Sequence, residues 1–245
     1  MKTINNNKNF ISLKTQIMKT AKIILSTGLV LCAALFTQAQ VKSPVTFGLR
    51  AGVNFQNING KDFNDNKMSN DVLTGYHIGA NVEIPIATDF YVQPGLLYTT
   101  KGATADRDFI GQEADAKTKL SYLEVPVNFL YKPVLGSGKL LLGFGPYVAF
   151  GLGGKTSFEG AGQKVERDVK FQNTVSSTDP KNQSYYRKVD AGANLLFGYE
   201  FSNKLSAQLN AQLGLAKINP EYEYLSGDKS AWKNTGFGVS VGYRF

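Results

Sequence analysis

The single histidine of the chain, His77, is the side chain best suited to act as a general base near neutral pH. A hydrolytic site would also need a carboxylate or a nucleophilic hydroxyl within hydrogen-bond reach of it. No second titratable residue can be tied to His77 from its spacing in "GYHIGANVEI". We therefore predict no catalytic residue and interpret His77 as a hydrogen-bonding member of a polar interior face. A hydrolase that depends on His77 at the rim of the fold is kept as an alternative.

Metal and cofactor chemistry receives little support from the sequence. In "DFNDNKMSND", Asp62, Asn64 and Asn66 have the spacing that begins a calcium loop. Lys67 stands where that loop needs glycine, and Leu73 stands where it needs a bidentate glutamate. The only cysteine, Cys32, lies in an apolar N-terminal stretch. We predict a solvated loop at 62–71, no metal site and no cofactor.

The elements that would position these side chains are strands. In "LSAQLNAQLGL", residues 205–215, leucine or alanine alternates without error with serine, glutamine, asparagine or glycine. Successive side chains of a strand point to opposite faces, so this stretch separates two different environments. Similar alternation, less clean where Leu97 and Leu130 fall on the polar face, predicts eight strands near 46–55, 75–84, 90–101, 121–132, 139–154, 189–201, 205–215 and 235–245.

The lengths of the connections discriminate between a soluble sandwich and a membrane barrel. Three connections are short, at 85–89, 133–138 and 202–204, whereas those between them are long and polar, the longest spanning about 155–186. Tight periplasmic turns and long surface loops are typical of outer-membrane barrels. The sequence therefore predicts an all-β fold, an eight-stranded antiparallel up-and-down transmembrane β-barrel with short periplasmic turns and long extracellular loops.

Aromatic residues of the apolar face support this prediction because they concentrate at the strand ends, where headgroups would meet hydrocarbon. One predicted girdle, at the periplasmic ends, holds Phe47, Phe90, Tyr131, Tyr199, Phe201, Tyr243 and Phe245. The other, at the outer ends, holds Phe55, Tyr76, Tyr98, Phe150 and Phe237. A soluble core would instead place its large aromatic residues centrally.

The polar face would fill the interior of so narrow a barrel. Its predicted charged residues number four of each sign, and buried charges must be paired to persist. We predict a structural network that packs the lumen rather than an ion path, consisting of Arg50, His77, Glu83, Lys101, Glu124, Lys132, Asp190, Glu200 and Arg244.

The N-terminus is predicted to be an export signal. From Met18 the chain reads "MKTAKIILSTGLVLCAALFTQAQ", a basic start, an apolar stretch and small residues before Gln40. Residues 1–39 are assigned as leader and signal peptide cleaved after Ala39, and residues 40–245 as a single outer-membrane β-barrel domain. The apolar stretch is short for a membrane anchor. A lipoprotein signal at Cys32 is disfavoured because Leu31 occupies the place of a small residue.

Charge excludes a nucleic-acid partner. Five lysines precede Ala39, and without them the formal charge of +8 falls to +3. Such a dispersed excess lacks the clustered basic footprint that phosphate contacts require.

Several segments in order resemble the PorT-like outer-membrane β-barrel family of Bacteroidetes-type bacteria. They are "GLRAGVNF", "YVQPGLLYTTKG", "LSYLEVPVNFLYK", "GKLLLGFGPYVAFGLGG" and "VDAGANLLFGYEF", followed by a C-terminal phenylalanine. The resemblance covers about residues 45–245. It implies an eight-stranded barrel in the outer membrane and, through its best-known member, a link to type IX secretion and gliding. It supplies no catalytic motif.

These observations predict a non-enzymatic outer-membrane protein that acts as a membrane scaffold or surface interaction protein. An accessory role in type IX-like secretion is the alternative within that class. The predicted partners are outer-membrane lipid, the barrel insertion machinery and a possible protein partner of the long extracellular loops. The C-terminal Phe245 resembles the signal that the insertion machinery reads. Those loops include 158–186 and 219–234, the latter containing the single tryptophan, Trp232.

Overall fold

The computed structural model describes residues 44–109, 112–160 and 163–245. Residues 44–85 and 89–245 form one compact unit, which holds the architecture. The predicted signal peptide and its cleavage after Ala39 lie outside the described residues.

The described residues form strands and no helix. In this part of the chain, no helix is long and apolar enough to cross a membrane. The strands are β1 (Thr46–Lys61), β2 (Leu73–Ala87), β3 (Phe90–Phe109), β4 (Gln112–Tyr131), β5 (Val134–Leu135), β6 (Gly138–Gly160), β7 (Gln163–Phe171), β8 (Thr174–Val175), β9 (Ser184–Tyr186), β10 (Val189–Glu200), β11 (Leu205–Gly214), β12 (Glu221–Tyr222) and β13 (Ala231–Arg244).

Eight of these strands close into a ring, which confirms the predicted fold class. The hydrogen-bonded order is β10, β11, β13, β1, β2, β3, β4 and β6, and β6 pairs back with β10. Neighbours are antiparallel, and the last strand meets the first through pairs such as Gly48 with Arg244. Closure leaves no unpaired edge in the ring. We call the end that holds Thr46 and Arg244 the near end, and the opposite end the far end.

Side chains alternate between the two faces of the ring as the sequence predicts. Along β11, Leu209 and Leu213 are 55% and 57% exposed. Ser206 and Gln208, at alternate positions of the same strand, are buried. The apolar side chains thus lie outside and the polar ones inside, the reverse of a soluble domain. Leu97 and Leu130, which break the alternation, are buried in the interior as their parity predicts.

Aromatic rings on the outer face pair across neighbouring strands at both ends of the ring. At the near end, the ring centroids of Phe90 on β3 and Tyr131 on β4 lie 4.8 Å apart. Tyr243 and Phe245, two residues apart on the same strand, add an edge contact at 5.1 Å. Nearer the far end, Phe55 stacks on Phe237 at 5.2 Å. Cross-strand aromatic pairs of this kind stabilise a sheet as well as lining its surface.

The strands extend further at the far end than the alternation predicts. Residues 102–109 continue β3, residues 112–120 begin β4, and the predicted loop at 155–186 contains the end of β6 together with β7, β8 and β9. The sequence predicted these segments only as long polar connections and did not indicate that they contain strands. Both faces of these extensions carry polar residues, so the apolar alternation ends while backbone hydrogen bonding between the strands continues.

The far end is covered by a structured cap, which consists of the connection between β6 and β10 and the connection between β11 and β13. Here β7 pairs in parallel with β9, and β8 pairs in parallel with β12. Arg187 joins the two connections, since its backbone N–H donates to Ile218 O at 2.7 Å and its Nη2 lies 2.7 Å from Glu221 Oε1. Ile218 is fully buried in a cluster with Tyr122, Tyr147 and Tyr186.

Candidate functional site

The near half of the ring interior contains an ion cluster built from β2, β10, β13 and the residue that follows β4. Lys132 Nζ lies 2.7 Å from Glu83 Oε2 and 2.9 Å from Glu200 Oε2. Arg244 Nη2 pairs with the other oxygen of Glu83, and its Nη1 donates to Asn81 Oδ1 at 2.7 Å. Two cations and two carboxylates therefore neutralise one another across the whole width of the lumen.

A second cluster lies in the far half and centres on Lys101. Its Nζ lies 2.9 Å from Glu124 Oε2 and 3.1 Å from Asp190 Oδ2, with all three side chains at most 1% exposed. The same ammonium sits 4.1 Å from the ring centre of Tyr147. Asp190 also accepts hydrogen bonds from Asn234 Nδ2 at 3.0 Å and from the Tyr147 hydroxyl at 3.3 Å. A charge taken out of water needs this many partners to be retained.

Arg50 and His77 lie between the clusters, and neither makes a salt bridge within the described residues, although Arg50 and Glu124 border the same small cavity. Arg50 Nη1 donates to Asn210 Oδ1 at 3.2 Å. His77 Nδ1 lies 2.7 Å from Asn54 Oδ1. Asn54 turns its amide nitrogen toward Thr99 Oγ1 and the carbonyl oxygen of Thr100, and in this orientation Nδ1 donates the hydrogen bond to Oδ1. These side chains border a cavity of about 30 Å³, the space of about one or two water molecules.

The structure brings seven of the nine predicted interior residues into the two clusters. The partners that complete those clusters, chiefly Tyr147, Asn234, Tyr122 and Asn81, were not predicted. The parity of β6 already places Tyr147 on the polar face. No signal in the chain indicates that it lies beside Lys101, because that contact depends on the register around the closed ring.

The structure gives no support for hydrolytic or metal chemistry in the described residues. His77 is 6% exposed and its hydrogen bond goes to an amide, so it has neither the carboxylate nor the access that a rim base needs. No group of three histidine, cysteine, aspartate or glutamate side chains there could hold a metal ion. In the calcium-like segment, Asp62 Oδ1 instead accepts the backbone N–H groups of Asn64 and Asn66 at 2.9 Å.

A larger cavity, the mouth pocket, lies between the far ends of the ring strands and the cap. Its volume is about 410 Å³, within the range of roughly 300–1,000 Å³ typical of ligand sites. Aromatic side chains line much of it, among them Phe158, Tyr185, Tyr222 and Trp232. These aromatic residues are scattered along the loops in the sequence, and no local pattern indicates that they meet at one cavity.

Comparison with known proteins decides what the closed ring is. The family described as outer membrane protein beta-barrel domain matches residues 37–219, which is more than half of the chain. The chain belongs to this family. The exposed apolar outer face of the barrel is therefore its lipid-facing surface, and the protein is an outer-membrane barrel. Strand β13 lies beyond the matched segment and completes the closure of the barrel.

Solved structures of other outer-membrane proteins are similar to this barrel. Ail of Yersinia pestis, in complex with the heparin analogue sucrose octasulfate, is 14% identical with a TM-score of 0.37, over 83% of this chain and 100% of that one. A major outer membrane protein of Thermus thermophilus is 13% identical with a TM-score of 0.43, over 83% and 100%. Neisserial surface protein A is 10% identical with a TM-score of 0.38, over 83% and 100%. No curated protein matches the chain. Identities this low say nothing about function.

Proposed function

We propose that this protein is a non-conducting outer-membrane scaffold that holds a structured cap at the cell surface. The observation that carries the proposal is the pair of ion clusters that fill the barrel interior. Lys101, Glu124 and Asp190 close the far half, and Glu83, Lys132, Glu200 and Arg244 close the near half. An ion crossing this lumen would have to displace charges that are already neutralised at close range.

A planar bilayer recording in potassium chloride tests the packed lumen. The wild-type barrel, inserted in its folded form, is expected to give no steady single-channel steps. A variant that replaces the seven charged residues of both clusters and Arg50 with serine removes four positive and four negative charges, and is expected to conduct. Lys101→Ser, Glu124→Ser and Asp190→Ser alone should stay closed, because the near cluster remains. Steady conductance of the wild-type protein would contradict the scaffold proposal and favour a narrow channel.

The cap supports the surface part of the proposal. Two parallel strand pairs and the contacts of Arg187 hold the connections after β6 and β11 together, so that the two connections form one ordered surface. A fixed surface loses less conformational entropy on binding than mobile loops would. A protein partner of these loops is consistent with that arrangement, and crosslinking from Tyr224, which is 54% exposed, would capture it.

An accessory role in type IX-like secretion is the second candidate, and the resemblance of five segments to the PorT-like family favours it. A clean deletion strain compared with its parent by quantitative proteomics of medium and outer membrane tests it. Selective loss of type IX-sorted proteins from the medium, restored by complementation, is expected if the role is real. An unchanged secretome would reject it.

The rim hydrolase that depends on His77 is the remaining alternative. Its buried position and its amide partner oppose a catalytic role. Any hydrolytic activity found in the purified barrel should survive His77→Ala, and loss of that activity in a folded variant would restore the hypothesis.

A further inference from the structure

The mouth pocket combines rigid walls with a structured roof. Its inner wall consists of ring strands, where Ile58, Ala105 and Thr118 are at most 8% exposed. Its outer wall comes from the cap, through Tyr185 of β9 and Tyr222 of β12. A ligand would therefore enter a cavity that is already formed, which lowers the cost of binding.

Aromatic rings approach this cavity from separate parts of the chain. Tyr186 of β9 and Trp232 of β13 have ring centroids 6.0 Å apart, and Phe158 and Tyr222 add rings from β6 and β12. Tyrosine and tryptophan offer an apolar face together with a polar edge. Such surfaces match a ligand that is itself apolar on its faces and polar around its rim.

The polar groups of the lining are nearly all neutral. They include the amides of Asn70 and Gln183 and the hydroxyls of Thr118 and Thr156. Arg167 is the one charged side chain among the described lining residues, and its guanidinium lies 5.1 Å over the ring of Phe158. The absence of a carboxylate from this lining disfavours a cationic ligand, and a single arginine is a poor match for phosphate groups, which are usually held by several donors.

Two side chains of the lining have a polar atom that lacks a partner. Gln183 Oε1 and Trp232 Nε1 are shielded from solvent and make no hydrogen bond within the described part of the chain. An unsatisfied buried polar atom destabilises the fold, and an unseen ligand or water is a common reason for one. One atom accepts and the other donates, as a ligand with hydroxyl groups would require.

We propose that the mouth pocket is a binding site for a neutral saccharide, whose ring stacks on the tyrosine and tryptophan faces while its hydroxyls meet the amides and threonines. This inference deepens the proposed function, and it rests on that function in placing the pocket at the cell surface. Binding to the purified barrel does not depend on that placement or on conductance, so the two proposals can fail separately.

The single tryptophan of the chain provides the measurement, because Trp232 lines the pocket. Folded barrel in detergent is titrated with maltose, cellobiose, lactose and N,N′-diacetylchitobiose while tryptophan emission is recorded. A saturable change with at least one of them is expected. Saturation-transfer NMR on the same samples detects binding without relying on Trp232.

Two tyrosines of one loop supply a matched pair of variants. Tyr222 lines the pocket, whereas Tyr224 does not. The ring centroids of the two tyrosines lie 5.7 Å apart. Tyr222→Ala is expected to weaken binding about tenfold, the loss of one aromatic wall, and Tyr224→Ala to leave it unchanged. Ala105→Phe, which fills the cavity, is expected to abolish binding while the barrel still migrates as a folded species on an unheated gel.

Absence of any emission change and of any saturation transfer with all four saccharides would overturn the proposal. Binding that persists unchanged in the folded Ala105→Phe variant would also overturn it, because the saccharide would then bind elsewhere.

Discussion

Lys101 shows how a single interior charge is kept in this barrel. Its ammonium contacts two carboxylates and the face of Tyr147, and none of these partners is close to it in sequence. Asp190 lies on β10, which meets Lys101 only because the ring closes. An exposed lysine near the far end of β6, Lys155, makes a single ion pair with Glu166 in which the side chains are 62% and 44% exposed.

Replacing Lys101 should be far more costly than replacing Lys155. Lys101→Met leaves Glu124 and Asp190 buried without their cation, and removal of one partner from a buried pair destabilises a protein by about 3–5 kcal/mol. Lys155→Met should not measurably change stability, because water solvates its exposed partner. Urea unfolding in lipid vesicles measures both free energies of unfolding. Equal values for the two variants would contradict the buried network.

Two glycines of β6 differ in the space around them. A Cβ at Gly145 would meet the backbone carbonyl of Val127 and lie 2.7 Å from Asn128 Cα, whereas a Cβ at Gly153 would meet nothing within 4 Å. Gly145→Ala should therefore cost about 1–3 kcal/mol of stability through overpacking. Gly153→Ala should cost nothing. The same unfolding assay measures both, and a neutral Gly145→Ala would show that β4 and β6 separate easily.

The composition of the interior could be predicted from sequence, but its pairing could not. Parity assigns Glu83, Lys132 and Arg244 to one face, since every second residue of a strand faces inward. Which charges meet depends on the stagger of strands around the ring, and no local signal encodes it. Arg50 and His77, predicted as members of the same network, hydrogen-bond to Asn210 and Asn54 between the two clusters.

At the scale of elements, alternation predicts a strand only where its two faces meet different environments. It located the apolar stretches of all eight ring strands and the short near-end turns. It failed for the extensions of β3, β4 and β6, because segments such as 155–160 carry polar residues on both faces. Cross-strand hydrogen bonds continue there, through pairs such as Thr118 with Thr156, and they build the wall of the mouth pocket.

The cap connection that follows β8 is held by Asp179. Its Oδ2 accepts the backbone N–H of Ser176 and the Nε2 of Gln172, both at 2.8 Å. The Ser176 N–H lowers the pKa of the Asp179 carboxyl below its ordinary value of 3.8. Because the folded pKa is lowered, this contribution to loop stability is present above pH 3.8 and is lost as the pH falls through the folded value.

An NMR titration of the Ser176 amide tests this loop. Its chemical shift should follow a transition centred below pH 3.8, the ordinary value of the Asp179 carboxyl. In Asp179→Asn the transition should disappear, and protease cleavage within 176–183 at neutral pH should become faster. A transition centred above that value would show that the Ser176 contact does not persist in solution.

At the scale of the whole molecule, the barrel separates lipid from a packed polar interior. Its outer face exposes Leu195 at 63%, Phe144 at 63% and Val241 at 64%. In water such a surface would drive aggregation. In the bilayer it is solvated by hydrocarbon, so the barrel is stable only in the setting that its family implies.

Two leucines allow the lipid-facing surface to be tested directly. Leu195 lies in the middle of β10 and pairs with Phe144 and Ala211, whereas Leu225, 40% exposed, lies in the connection between β12 and β13. Arginine near the bilayer midplane of a barrel costs about 2–4 kcal/mol, so Leu195→Arg should lower the free energy of unfolding in vesicles by that amount. Leu225→Arg should have little effect because water surrounds the new charge. Equal losses of unfolding free energy in the two variants would mean that the middle of β10 does not face hydrocarbon. The assignment of the apolar outer face to the bilayer would then have to be abandoned.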